Sequence, residues 1–254
     1  MENVRSILSC IGVDTSGEVS ILGDLYGYFR RRVPPDPTGV VSEVSLLKQM
    51  QAMKGRHVHL NVIRVGFDAL AAADQPAAFE RLDYAIHRTR RIYRQVPLGV
   101  GRVLHWRIDQ ADANGRDDIG SEDEADALSD EWSVPNSGID VFVVRNISSS
   151  KFIGISPIDG SCDKDSKDDG LIGGEIGRDA EGFARTFAHE VGHFLGLEHP
   201  FNHDHDTGDC NGSTANRNRL MAQTRCAIDI RTSTNISSGQ RSDMRDHCAV
   251  RSGC

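Results

Sequence analysis

Two histidines four residues apart, His189 and His193, flank a glutamate, Glu190, and are followed by Gly196 and a third histidine, His199. Residues four apart on a helix share a face, so two imidazoles at this spacing can converge on one metal ion. Glu190 lies at the edge of that face, where its carboxylate can reach water held by the ion without becoming a ligand. A glycine at a helix C-terminus takes the left-handed conformation at little cost, and a sharp turn at Gly196 would carry His199 back to the same ion. Three neutral imidazoles leave a fourth tetrahedral position open, which is the arrangement of a catalytic zinc site and not of a closed structural one. A histidine pair of this kind is often only solvated on an amphipathic helix, but all five fixed residues coincide by chance on the order of once in ten thousand such chains.

The elements that must position these groups follow from periodicity. From His57 onward, VHLNVIRVGFD alternates enough for a strand, and residues 77–95 place Phe79, Leu82, Ala85, Ile86 and Ile92 at helical spacing. Residues 99–109 (GVGRVLHWRID) and 139–147 (IDVFVVRNI) read as two further strands, and 152–158 (FIGISPI) as a short fourth whose proline belongs on a sheet edge. The acidic stretch 110–130 reads as loop. A loop carrying Asp159, Asp163, Asp165, Asp168 and Asp169 leads to the glycine-rich GLIGGEIG, and the motif helix is expected over 180–196. The resulting order is α/β (α+β), with the helix that carries the motif last.

With these elements in place, the chain resembles the metzincin zinc metalloendopeptidases, whose signature HExxHxxGxxH is matched at every fixed position from His189 to His199. The resemblance implies a β-α-β-β-β-β-α upper subdomain with a twisted, mostly parallel sheet, a cleft bounded by an antiparallel edge strand, and a loop-rich C-terminal subdomain. It also implies a methionine turn beneath the metal, and Asn218-Arg219-Leu220-Met221 looks like that turn, with Met221 packing under the imidazoles without coordinating them. Residues 56–254 would form the catalytic domain, and 1–55 an N-terminal extension or pro-segment. Pro200 resembles the serralysin pattern, but glycine-rich calcium repeats are missing. Gln223 stands where astacins and serralysins carry a tyrosine, so the site also resembles the reprolysin and pappalysin branches.

The implied chemistry is hydrolysis of peptide bonds, with zinc acidifying a water, Glu190 moving its proton, and a protein or peptide substrate lying extended along the edge near Phe152–Pro157. Two rival readings are a metzincin-fold binding module without catalysis and a zinc amide hydrolase acting on a non-protein peptide. Glu190 argues against the first, because a ligand-only site has no need of a carboxylate there.

Bulk properties narrow the partners. The chain has 254 residues, a net charge of −8 and no basic cluster interleaved with aromatics, which disfavours nucleic acid. No run approaches the ~20 apolar residues that span a bilayer, and no signal peptide is visible. Cysteines stand at 10, 162, 210, 226, 248 and 254, clustered towards the C-terminus and without a CxxC pair. That pattern predicts disulfide stapling and hence an oxidising, secreted or extracellular setting.

Weaker signals remain. Asp163, Asp165, Asp168 and Asp169 could offer oxygen ligands to Ca2+, though the EF-hand spacing fails and a solvated acidic loop is the simpler reading. His203, Asp204, His205, Asp206 and Asp209 could hold a second cation or form a loop anchored at Cys210. Gly170, Gly173, Gly174 and Gly177 match no phosphate-loop spacing. Cys10 could block the zinc of a latent enzyme, but its neighbours do not match the matrixin switch, and an ordinary disulfide or free thiol fits as well.

Overall fold

Strand β1 (Arg56–Val65) is buried almost throughout, and its two faces feed two separate apolar clusters. Val58, Leu60 and Val62 point into one, while Ile63 and Val65 point into the other. A strand covered on both faces belongs at the centre of a parallel sheet. β1 indeed lies between β2 (Gly99–Ile108) and β3 (Ile139–Val144), with β4 (Gly170–Glu175) beyond β3, every pairing parallel. A short β5 (Arg251–Ser252) returns antiparallel beside the start of β1. The computed structural model describes residues 31–32, 55–165, 168–201 and 210–253. Residues 31–32 pair in parallel with Trp132 and Ser133, and the rest of the expected extension lies outside the described residues.

Helix α1 (Gln75–Tyr93) covers the first cluster with Ala78, Leu82, Ala85, Ile86, Thr89 and Ile92. The motif helix, α3 (Ala180–Phe194), packs beside it, and Tyr93 at the end of α1 donates to the carbonyl of Ala188 at 2.8 Å. The parallel pair β1 and β2 needs a crossover, which α1 supplies, and both helices lie against the same side of the sheet.

Two expectations are corrected. The acidic stretch 110–130 is not loop throughout, because it contains α2 (Glu122–Glu131), capped by Ser121, whose side chain accepts from the N–H of Glu124. Ala125 and Leu128 are the small apolar stripe that seats α2 on the second cluster. A helix so acidic on its solvent side hides its period, although Ser121 followed by Glu124 has the form of a helix start. The segment 152–158 is not a full strand: only Ile155 bridges antiparallel to Ile172, through bonds of 3.0 and 2.8 Å. The antiparallel edge of the sheet is thus a single residue pair.

The glycine-rich segment, conversely, is strand β4. A Cβ at Gly173 would sit 2.7 Å from Val141 Cγ1 and 3.1 Å from the Phe187 ring, so absence of a side chain lets α3 approach the sheet closely. Gly174 adopts φ +124 where the pairing with β3 shifts register.

Residues 210–253 hold only short elements, of which α4 (Ser238–Asp246) is the longest and begins with a full capping box from Ser237 and Gln240. Cys210–Cys226 closes a loop within this part, and Cys162–Cys248 ties it to the acidic loop before β4. Cys10 and Cys254 lie outside the described residues.

Candidate metal centre and the turn beneath it

Helix α3 begins at Asp179, whose carboxylate accepts from the N–H of Gly182 at 2.9 Å, and every residue from Gly182 to Phe194 is buried. His189, Glu190 and His193 therefore sit in the interior. The helix ends as its sequence requires. Gly196 takes φ +86, its N–H bonds the carbonyl of His193, and the N–H of Leu197 bonds that of Gly192, the paired closure of a left-handed helix end.

The turn brings His199 back over the helix. His193 Nε2 stands 3.0 Å from His189 Nε2 and 3.0 Å from His199 Nε2, and the third edge of this triangle is 3.2 Å. The other ring nitrogens explain what the triangle can hold. His189 Nδ1 faces the carbonyl of Leu220 at 2.9 Å, and His193 Nδ1 that of Leu197 at 2.6 Å. A carbonyl only accepts, so each Nδ1 carries the hydrogen and each Nε2 presents a bare lone pair. Two lone pairs 3.0 Å apart repel, and one N–H on His199 could serve only one of them. A cation at the centre satisfies all three.

Protonation states agree with this. Burial holds His189 well below its ordinary value, with His193, Arg185 and His199 adding to the effect, and burial brings His193 down to about 4. Neutral imidazoles are what a metal requires. Glu190 is pushed up to about 8 by burial, opposed by the positive charge of Arg185. The edge segment lies directly on this carboxylate: a Cβ on Gly154 would meet Glu190 Cγ at 2.8 Å and Thr186 Cγ2 at 2.7 Å. Gly154 drew no notice in the sequence, because only the approach of α3 gives that glycine a purpose.

Met221 is fully buried, and a Cβ on Gly192 would lie 2.9 Å from its sulfur, which puts the thioether against the middle of the motif helix. The backbone around it is fastened by Arg185. This side chain, 2% exposed, donates from Nη2 to the carbonyls of Arg219, Leu220 and Ala222, from Nη1 to Thr224 Oγ1 and from Nε to the carbonyl of Ser233. Leu220 thus accepts from both Arg185 and His189. An arginine four residues before the first histidine, on the same helix face, is the one sign of this role in the sequence.

The acidic loop serves the helix end. The N–H groups of Asp159 and Gly160 bond the carbonyls of His193 and Phe194, and His247 Nε2 faces the carbonyl of Gly160 at 3.0 Å. Asp163, Asp165 and Asp168 are exposed and Asp169 is buried, and the four form no converging ligand group among the described residues. The polar cluster at His203, Asp204, His205, Asp206 and Asp209 lies outside the described residues.

Two family models match this chain. One, described as metallo-peptidase family M12B reprolysin-like, covers residues 79–200, and the other, described as pregnancy-associated plasma protein-A, covers residues 175–247. Both ranges contain all three histidines. The chain belongs to the metzincin-like zinc-metallopeptidase superfamily. Matches to these two branches agree with the reading at Gln223, and neither is of the serralysin type that Pro200 resembles. Among solved structures, metalloproteinase-II from Bacteroides fragilis aligns over 94% of this chain and 60% of its own, at 12% identity and a TM-score of 0.49. This chain therefore spans 60% of that protein's length. No curated protein matches in sequence. No helix among the described residues is long and apolar enough to cross a membrane.

Proposed function

We propose that this metallopeptidase-type domain is a zinc-dependent endopeptidase, with zinc held by His189, His193 and His199 and proton transfer carried by Glu190. The observation that carries the reading is the triangle of Nε2 atoms at 3.0–3.2 Å, each of two fixed as an acceptor by a carbonyl behind it. Three histidine nitrogens suit zinc and leave room for a fourth, exchangeable ligand. Zinc bound there supplies Lewis-acid polarisation of a carbonyl oxygen and acidifies water.

The chain's own groups do the rest. Glu190, whose burial favours the protonated form, takes a proton and passes it to the leaving amine, and a carboxylate near neutral pKa suits both directions. Ile155 turns both its backbone groups towards Ile172, so in an extended chain the N–H and C=O of Gly154 and Ser156 face the other way. An extended peptide pairing with those groups would pass its scissile bond over Glu190, against which Gly154 lies. Met221 and the Arg185-held turn set the floor of the site. The two disulfides support an oxidising, extracellular setting for this activity, and residues 56–254 are the proposed catalytic domain.

The Glu190→Gln variant tests the reading. Zinc stoichiometry should stay at the wild-type level while hydrolysis of a denatured protein substrate falls on the order of 10²–10⁴-fold. Retained hydrolysis would sink the assignment, and full activity on a non-protein amide alone would favour the rival hydrolase.

A further inference from the structure

The end of α3 that presents His193 is held by two distant parts of the chain. From one side, the N–H groups of Asp159 and Gly160 bond the carbonyls of His193 and Phe194. Gly160 lies so close that a Cβ there would stand 2.3 Å from the Phe194 ring. From the other side, the buried ring of His247 packs on that of Phe194, with centroids 5.5 Å apart. His247 Nε2 faces the carbonyl of Gly160 at 3.0 Å, and Nδ1 accepts from the N–H of Ala249 at 3.1 Å. Residues 159–162 and 247–249 thus form the two arms of a clamp on the helix end.

Cys162–Cys248 closes this clamp covalently, two residues past Gly160 on one arm and one past His247 on the other. Both cysteines are exposed, whereas Cys226 of the second disulfide is fully buried. Thiol–disulfide exchange needs a thiolate to reach a sulfur, so a reductant in solution meets Cys162–Cys248 first. Once that bond is open, the arms are joined mainly by His247, through Gly160 and through Asp159 at 3.5 Å. A helix leaves its last carbonyls without intrahelical partners, so the order of this turn depends on the arm that caps it.

We infer that Cys162–Cys248 is a redox switch on the metal centre: a dithiol reductant opens the bond, the clamp parts, and His193 is no longer held in the histidine triangle. A thiolate of the dithiol attacks one sulfur to form a mixed disulfide, and the displaced cysteine takes a proton. The dithiol's second sulfur then displaces the other cysteine, which is protonated in turn, and the reagent closes as its own disulfide. Two electrons and two protons pass from the dithiol to the two cysteines, and an oxidised dithiol reverses the exchange. The switch rests on the zinc site proposed above and adds its regulation.

The experiment exposes the zinc-loaded full chain briefly to dithiothreitol, blocks the thiols formed with iodoacetamide, removes both reagents and restores zinc. Peptide mass mapping should place the label on Cys162 and Cys248 and leave Cys226 unlabelled. Zinc affinity should fall about tenfold or more, and amide exchange should quicken at Asp159, Gly160 and Gly196 while β1 keeps its protection. The Cys162→Ala/Cys248→Ala variant should show the same loss of zinc affinity with no reductant present. Reduced wild-type protein left unblocked should regain zinc affinity and hydrolysis on treatment with oxidised dithiothreitol. Unchanged zinc affinity in the labelled protein and the double variant overturns the switch, as does labelling of Cys226 ahead of Cys162 and Cys248. Loss of β1 protection on reduction also overturns it, because the bond would then hold the whole fold. Zinc binding that responds to reductant in a protein hydrolysing no peptide supports the switch and sinks the peptidase reading.

Discussion

Residues 55–201 bury apolar side chains on both faces of the parallel sheet, whereas residues 210–253 add only Leu220, Met221, Ala222, Cys226, Met244 and Ala249 to the buried apolar set. Both regions build the same centre. The first supplies the histidines and Glu190 from a helix locked by packing, and the second supplies the carbonyl and thioether beneath them from a turn locked by Arg185, by backbone bonds such as Leu220 N–H to Asn235, and by disulfides. A ligand can thus stand on a close-packed element while its support is fastened by polar and covalent ties. The second kind of region tolerates far less loss per contact, because few contacts share the load.

The largest way to break this contrast is reduction. Cys162–Cys248 spans 86 residues and Cys210–Cys226 spans 16, so chain entropy assigns them roughly 4–5 and about 3 kcal/mol. Urea unfolding of Cys162→Ser/Cys248→Ser should show a loss of that order, with residues 210–253 losing amide protection before β1. A loss under about 1 kcal/mol would mean that the C-terminal part supports itself without the staple.

Next comes Arg185→Met, which leaves the carbonyls of Leu220 and Ala222 without their guanidinium donor. Stability should fall by about 3 kcal/mol and zinc affinity by about 10–100-fold, because the partner of His189 Nδ1 is released. Arg185→Lys should recover part of the stability but less of the affinity, since an ammonium cannot span five acceptors. Zinc affinity unchanged in both variants would limit Arg185 to a structural role.

In the packed region the corresponding probe is Gly173→Ala, whose methyl would press on Val141 and Phe187. Overpacking there should cost about 1–3 kcal/mol and lower peptidase activity by displacing α3, without altering exchange in residues 210–253.

A separate effect is expected on pH dependence. Burial, with Arg102, His57 and Arg251 adding, holds His59 down to about 3, and its Nδ1 accepts from the N–H of Arg102. The unfolded chain takes up that proton first, so this contribution is complete above about 6.5 and is lost as the pH falls through 6.5 towards 3. His59→Gln keeps an acceptor and should flatten that limb of the stability profile. An unchanged slope would assign it to other groups.

The HExxHxxGxxH motif, the long helix α1 and the strands β1, β2 and β3 were legible in the sequence, because each rests on short-range rules of spacing, period or a glycine that must turn the chain. That Gly196 adopts φ +86 follows from the same local logic. Beyond that range the chain is silent. The glycines of β4 hide its strand pattern, since Gly173 serves the approach of α3, and α2 is masked by its charge. The edge strand shrank to Ile155 alone, and Gly154 carries no local sign of its use. Which carbonyls Arg185 ties and which cysteines pair are long-range facts. They are decided by how packed elements approach one another, and no periodicity along the chain encodes those distances.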